Sequence, residues 1–180
     1  MPLDHLWATW RSDYIGSVTD SRLTPSPAEA AGRSLFERIL AAPGTDDDKH
    51  VVHRGERCFV LLNKFPYTVG HLMVLPNHAV SELEDLDEPT FVELWSLVRT
   101  SVVALKRAFT PDGVNVGVNL GAAAGGSQAD HLHVHCVPRW IGDANFIAVV
   151  GETRVLPMSL DEACERLRAV WPPGESTVLD

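Results

Sequence analysis

The sequence predicts an α+β fold in which helices pack on an antiparallel sheet. Three observations predict it: short apolar segments separated by turns, one long amphipathic segment, and few strand–helix–strand alternations. Short turns join antiparallel strands, whereas parallel strands need long crossover connections. We therefore expect strands connected as hairpins, with the helices on one face of the sheet.

The strand predictions follow from apolar segments that are rich in β-branched and aromatic residues. Prolines and glycines separate them, and Pro76 and Pro138 each end one segment. The predicted strands are residues 51–53, 58–62, 71–75, 114–120, 132–137 and 146–150.

Three segments have the periodicity of α-helices. Ser26 is expected to cap the first helix, which ends near Pro43. The second has apolar residues at spacings of three and four from Phe91 to Phe109. The third covers residues 160–171.

We expect the 180 residues to form one domain, since single domains commonly contain ~100–200 residues. It is predicted to consist of an aromatic-rich N-terminal arm (residues 1–25), a catalytic core (26–150) and a C-terminal helix and tail (151–180). The arm contains Trp7, Trp10 and Tyr14, which indicates packing on the body or on a partner subunit.

Charge and composition exclude several classes of function. The formal net charge of −9 argues against nucleic acid or an anionic membrane as partner, because both need a basic face. No apolar segment approaches the ~20 residues that cross a bilayer, and the N-terminus lacks a signal-peptide pattern. The three cysteines are far apart, so neither disulfides nor a cysteine-rich zinc site is predicted. A cytoplasmic protein is expected.

The main functional signal is a histidine at every second position of one predicted strand. His131, His133 and His135 would share one face over about 13 Å, at ~3.3 Å per residue. A single strand histidine is more often structural, but three in alternation favour a functional site. The row suits either zinc binding or covalent catalysis in which one imidazole attacks phosphorus.

The loop before these histidines favours phosphate chemistry. Residues 121–127 are glycine and alanine with one final serine. Backbone N–H groups can approach an anion closely there, although such loops are also common hairpin turns. Together with the histidines, the loop indicates a phosphate site that includes Gly125, Gly126 and Ser127.

Residues 130–139 resemble the signature of the histidine triad (HIT) superfamily, in which three histidines are separated by apolar residues. Residues 59–63, Pro66 and residues 70–76 are similar to the nucleotide-binding half of that family. Residues 6–15 and 139–146 resemble its actinobacterial diadenosine tetraphosphate phosphorylase branch. The resemblance covers nearly the whole chain and implies a HIT-like fold.

The resemblance implies catalytic roles for four histidines. His133 corresponds to the nucleophile, which attacks the α-phosphorus and carries a transient adenylyl group. His131 and His135 correspond to the flanking positions that orient and bind the phosphate, and His71 to a fourth active-site histidine. His133 must be neutral when it attacks, so its other ring nitrogen is expected to donate to a backbone carbonyl.

The resemblance also implies substrate-binding roles. Asn63 corresponds to the position that holds the ribose hydroxyls, and its amide can both donate and accept. Asn119 corresponds to a polar position that touches a phosphate oxygen. By themselves, Asn63 could cap a turn, His71 could be structural and Arg139 could be a surface charge. The predicted substrate-binding residues are Asn63, Asn119, Gly125, Gly126, Ser127 and Arg139.

The implied reaction is phosphorolysis of diadenosine tetraphosphate by inorganic phosphate, giving ATP and ADP. Many HIT hydrolases have glutamine four residues before the first histidine, where this chain has Ser127. The smaller side chain leaves room for phosphate instead of water as the acceptor. The alternatives are a HIT hydrolase of dinucleoside polyphosphates or nucleoside phosphoramidates, a metal-dependent hydrolase, and a nucleotide-binding or scaffold protein that forms the adenylyl adduct slowly.

Some members of the superfamily carry Cys-x-x-Cys before the first strand, where this chain has Ser-Leu-Phe-Glu at residues 34–37. His78 and His131 without thiolates would make a poor zinc site, so neither a structural metal nor a cofactor is expected. The N-terminal arm, the long helix and the resemblance imply a homodimer or a tetramer.

Overall fold

The computed structural model describes residues 32–125, 128–143 and 156–173. The predicted strand 146–150, the N-terminal arm, Gly126 and Ser127 lie outside the described residues. The elements in the described ranges are α1 (Leu35–Ala41), β1 (Val51–Arg54), β2 (Cys58–Leu62), β3 (Leu72–Pro76), α2 (Glu88–Phe109), β4 (Gly113–Val118), β5 (Val134–Arg139) and α3 (Leu160–Ala169).

The strands form one antiparallel sheet in the order β1-β2-β3-β5-β4. This confirms the predicted α+β fold with an antiparallel sheet. The pairing of β3 with β5 brings the chain before β3 next to the histidine segment, because Met73 is opposite His135. Two distant parts of the sequence therefore meet at this point of the sheet.

Helices cover both faces of the sheet, so the prediction of helices on one face is wrong. α2 and α3 pack on one face, over a core cluster that includes Val60, Val74 and Cys136. α1 packs on the other face, where Phe36 joins Phe59 and other side chains of the sheet. The physical reason is that every position of β2 and β3 is buried, and a strand without polar positions needs cover on both sides.

α1 begins later than the sequence pattern predicts. Ser34 caps it: Oγ accepts a hydrogen bond from the Glu37 N–H at 3.2 Å, and the Glu37 carboxylate accepts one from the Ser34 N–H at 2.9 Å. This is a capping box. Gly32 has a φ of +73°, so a continuous helix from Ser26 into α1 is wrong, whereas the predicted cap at Ser26 lies outside the described residues.

The long helix is confirmed as α2. Asp87 caps it by accepting the Thr90 N–H at 2.9 Å, and Thr110 ends it with a left-handed φ of +46°. Its buried residues recur at the predicted helical spacing: Leu94, Leu97, Val98, Ser101, Ala104 and Leu105. None of the helices in the described ranges is long and apolar enough to cross a membrane.

Candidate active site

Three histidine rings meet where β3 and β5 pair. Nε2 of His71 lies 2.9 Å from Nδ1 of His135, and the ring centroids of His133 and His135 are 4.9 Å apart. His135 belongs to β5, whereas His133 precedes the first residue of that strand. The predicted strand 132–137 is therefore shifted to Val134–Arg139, and the expectation that all three triad histidines share one strand face is wrong.

A chain of hydrogen bonds fixes the tautomers of His71 and His135. The Tyr67 backbone N–H donates to Nδ1 of His71 at 3.1 Å, so the proton of neutral His71 is on Nε2. That Nε2–H donates to Nδ1 of His135, which places the proton of neutral His135 on Nε2. His135 therefore has a ring N–H with which it can bind an anion.

His133 has the opposite arrangement. Its Nδ1 lies 2.8 Å from the backbone oxygen of His131, and since this oxygen only accepts, Nδ1 carries the proton. Nε2 of neutral His133 then has a free lone pair, as a nucleophile requires. This is the backbone hydrogen bond that the sequence led us to expect.

The ring of His131 is turned away from the other three. It has no exposed surface, and its Nε2 donates to the backbone oxygen of Pro76 at 2.9 Å. Its Nδ1 lies 2.6 Å from Oγ of Ser34. The ring of Phe36 on α1 contacts the rings of His131 and His133. Its centroid is 5.4 Å from that of His131 and 5.5 Å from that of His133.

Burial keeps these rings neutral. Desolvation, followed by the charges of His135 and His133, lowers the pKa of His71 to about 3. Desolvation, followed by the charge of His133, lowers the pKa of His135 to about 4. Burial also lowers the pKa of His131. At neutral pH these three rings are thus uncharged hydrogen-bonding groups.

The family model described as HIT domain matches residues 45–140, which contain all four of these histidines. The chain belongs to the HIT domain family. It is 41% identical over 169 residues to a Mycobacterium tuberculosis protein named AP-4-A phosphorylase, with 94% of this chain and 85% of that protein covered.

Two further proteins are similar to this chain, at lower identity and over a smaller part of it than the M. tuberculosis protein. A bis(5'-adenosyl)-triphosphatase from Dictyostelium discoideum is 31% identical over 84 residues, which are 47% of this chain and 56% of that protein. A crystal structure of a Zn-bound histidine triad family protein from Mycobacterium smegmatis is similar, with a TM-score of 0.61 at 27% identity. That similarity covers 76% of this chain and 91% of the other.

Asn63 of this HIT protein lies beside His71. Its backbone N–H donates to the backbone oxygen of His71 at 2.9 Å, and its Oδ1 accepts the Phe65 N–H at the same distance. The turn-capping alternative for Asn63 is thus present in the structure. It does not exclude a ribose contact, because Oδ1 has a second lone pair and Nδ2 is a donor.

The other predicted substrate-binding residues are not gathered in one place. Asn119 follows β4, and because Val118 pairs with Val134, it lies at the end of the sheet that carries His133. Gly125 closes a 3₁₀ turn by donating its N–H to the backbone oxygen of Ala122 at 3.1 Å.

Arg139 lies four residues beyond His135, at the other end of β5. Its guanidinium donates to both carboxylate oxygens of Asp143, at 2.6 and 2.9 Å, and to Oδ1 of Asn115 at 3.0 Å. The structure therefore does not bring Arg139 to the histidines.

Sequence reasoning missed three residues that contact the histidines. Tyr67 donates its N–H to His71, and the two ring centroids are 4.6 Å apart. Ser34 and Phe36 contact the histidine segment from α1. A backbone donor leaves no residue-type signal, but the Ser-x-x-Glu pattern at residues 34–37 does indicate a helix start and could have placed α1 correctly.

The residues at positions 34–37 do not fit a zinc ion. Both ring nitrogens of His131 already make hydrogen bonds, and Nδ1 of His78 is 3.8 Å from Oε1 of Glu37. A structural zinc site with a Cys-x-x-Cys pair uses two thiolates. At the corresponding positions this chain has the hydroxyl of Ser34 and the carboxylate of Glu37. Within the described ranges, no group of three or more histidine, cysteine or acidic side chains is arranged to hold a metal.

Proposed function

We propose that this HIT protein is a nucleotidyltransferase that splits diadenosine tetraphosphate with inorganic phosphate into ATP and ADP, through an adenylyl group on His133. The supporting observation is the pair of opposite tautomers at the site. His133 has a lone pair on Nε2, whereas neighbouring His135 has an N–H on Nε2. A nucleophile and a donor for a phosphate oxygen therefore stand side by side, which suits attack on phosphorus.

In the first step, Nε2 of His133 attacks the α-phosphorus of diadenosine tetraphosphate. The N–P bond forms as the bond from the α-phosphorus to the bridging oxygen breaks, and ATP leaves. The ring keeps its proton on Nδ1, so it becomes positively charged, and the backbone oxygen of His131 stabilises that charge. The Nε2–H of His135 donates to a non-bridging oxygen as negative charge accumulates there.

In the second step, an oxygen of inorganic phosphate attacks the adenylyl phosphorus. The N–P bond breaks, ADP forms, and His133 returns to its neutral state with the proton still on Nδ1. We assign the acceptor phosphate to the loop that contains Gly125, Gly126 and Ser127. We assign the ribose hydroxyls to Asn63 and a phosphate oxygen to Asn119.

The name of the M. tuberculosis relative supports phosphorolysis, since that protein is an AP-4-A phosphorylase and the similarity spans 94% of this chain. Hydrolysis is the alternative. In that case water takes the adenylyl group and AMP is released, as the name of the D. discoideum triphosphatase suggests for a shorter similarity. Both reactions use His133, and they differ only in the acceptor.

Mass spectrometry of the intact protein tests this proposal. Incubation with diadenosine tetraphosphate alone should add one adenylyl group at His133, and subsequent addition of phosphate should remove it as ADP. His133→Ala should give no adduct, whereas the control His78→Ala, whose side chain is 94% exposed, should behave like the wild type. Release of AMP in the presence of phosphate would contradict phosphorolysis, and an adduct in His133→Ala would contradict the nucleophile.

We further propose that the protein is a homodimer. Among the strands of the described ranges β4 lies at an edge of the sheet, and exposed apolar side chains lie on it and on α2. Exposed apolar side chains and sheet edges favour association. The apolar residues concerned are Phe91, Val92, Trp95 and Val116. Sedimentation equilibrium would give the stoichiometry, with a monomer at micromolar concentration counting against the proposal.

A further inference from the structure

Ser34 connects α1 to the histidine segment. The residue is 4% exposed, and its Oγ lies 2.6 Å from Nδ1 of His131, a residue 97 positions further along the chain. α1 covers the face of the sheet on which Met73 and its partner His135 lie. The helix start is therefore part of the wall of the site.

The geometry defines which way this hydrogen bond runs. The backbone oxygen of Pro76 only accepts, so Nε2 of His131 carries the proton. Burial lowers the pKa of His131, so the ring is neutral and its Nδ1 has a lone pair. The hydroxyl of Ser34 therefore donates to Nδ1 while its oxygen accepts the Glu37 N–H. Ser34 and Pro76 together fix both edges of the His131 ring.

Fixing His131 also fixes His133. The backbone oxygen of His131 accepts the Nδ1–H of His133 at 2.8 Å, and this contact holds the nucleophile in the reactive tautomer. Phe36, two residues after Ser34, packs against both rings. A shift of His131 therefore moves the carbonyl that accepts the Nδ1–H of His133. It also disturbs Phe36, which packs against the ring of His133.

We propose that Ser34 is a positioning residue for the reaction: its hydroxyl holds His131 so that the His131 carbonyl orients His133 for attack. The inference rests on the proposed function of His133. Removing the hydrogen-bond partners that orient metal-ligating histidines commonly lowers affinity or activity by about 10- to 100-fold, and we expect an effect of similar size for an imidazole nucleophile.

The chain offers a matched control for the ordinary role of a helix cap. Ser159 caps α3 and accepts the Glu162 N–H at 3.2 Å, the same distance as the bond from the Glu37 N–H to Ser34. Both serines are thus N-caps, but it is Ser34 whose hydroxyl contacts a histidine of the site. Ser159→Ala removes a cap alone, and Ser34→Ala removes a cap and the contact to His131.

Steady-state kinetics with diadenosine tetraphosphate and phosphate tests the inference. Ser34→Ala should lower kcat about tenfold or more, with KM changed much less. Ser34→Gly should do the same while keeping the start of α1, because glycine is nearly as good an N-cap as serine. Ser34→Thr, which keeps a hydroxyl, should restore kcat to within about threefold. Ser159→Ala should lower Tm and leave kcat unchanged.

A spectroscopic measurement separates positioning from loss of fold. Nitrogen NMR of the histidine rings should show His133 protonated on Nδ1 in the wild type and in Ser34→Thr, and a mixture of tautomers in Ser34→Gly. Wild-type kcat in Ser34→Gly, or an equal loss of kcat in Ser159→Ala, would overturn the inference. These results leave the proposed function intact, because that function is tested separately, by the adduct and the turnover of His133→Ala and by the nucleotide released in the presence of phosphate.

Discussion

Nε2–H of His71 donates to Nδ1 of His135 over 2.9 Å, and this contact decides what His135 can offer a substrate. Nδ1 of His71 is occupied by the Tyr67 N–H, so the donor direction is fixed by backbone geometry. His135 consequently presents an N–H to the site, beside the lone pair of His133. Without His71, this contact would no longer fix the tautomer of His135.

We expect His71→Ala to lower kcat by about 10- to 100-fold, because it removes the group that fixes the proton of His135. His53→Ala is the control. His53 lies in β1, its ring centroid is 5.1 Å from that of Trp171, and it takes no part in the proposed reaction. Steady-state kinetics of both variants checks this. Equal losses in the two variants would show that general destabilisation is the cause.

His133→Ala should abolish turnover and adenylyl transfer while the protein stays folded. The residue is 6% exposed and packs against Phe36, so its truncation should lower the free energy of unfolding by about 1–3 kcal/mol. Urea denaturation and a coupled assay for ATP measure the two quantities. Substantial remaining turnover would rule out His133 as the nucleophile.

The free energy of unfolding should fall as the solution is acidified below pH 6.5. Burial lowers the pKa of His71 to about 3 and that of His135 to about 4, from an ordinary value of 6.5. At a pH between the folded and the unfolded pKa, the unfolded chain binds more protons than the folded one. The stability that the neutral histidines contribute is therefore complete above pH 6.5 and is lost on acidification. For each of the two histidines, the free energy of unfolding should fall by about 1–2 kcal/mol from pH 6.5 to pH 5.

Urea titrations at several pH values, on the wild type and on His71→Asn with His135→Asn, measure this effect. The double variant lacks both buried imidazoles, so its free energy of unfolding should depend less steeply on pH in this range. An equally steep dependence in the variant would assign the acid sensitivity to other groups.

Gly70→Ala should destabilise the fold by about 1–3 kcal/mol. Gly70 has a φ of +78°, and a Cβ there would lie 2.5 Å from Cε2 of Phe109 on α2. The strain falls on the residue before His71, so kcat should fall as well. Gly113→Ala is the control, since a Cβ there meets nothing within 4 Å. Thermal unfolding would detect the difference, and equal Tm values would contradict this account.

Chelation should leave Tm and kcat unchanged. The ring nitrogens of His131 are both occupied by hydrogen bonds, and Ser34 stands where a thiolate would be needed. Dialysis against a strong chelator, followed by elemental analysis, is the measurement. A stoichiometric metal that survives dialysis, with loss of activity on its removal, would refute this prediction and support the metal-hydrolase alternative.

The sequence by itself determined the elements whose signal is local. The apolar segment 58–62 is β2, with the bounds Cys58–Leu62, and the apolar repeat from Phe91 to Phe109 is α2. These patterns are readable because burial of one helix face or of whole strands imposes a fixed period on neighbouring residues. The alternating histidines and the glycine-rich loop likewise indicated a phosphate site before any contact was known.

Only the tertiary structure decided where each histidine ring lies and which atoms it contacts. Spacing placed His131 on one strand face with His133 and His135, but its ring turns to Ser34 and Pro76 instead. It also decided that α1 lies on the site face, and that Arg139 binds Asp143 at the far end of β5. These outcomes depend on contacts between residues that are distant in sequence, such as the 97 positions from Ser34 to His131, and no local pattern encodes them.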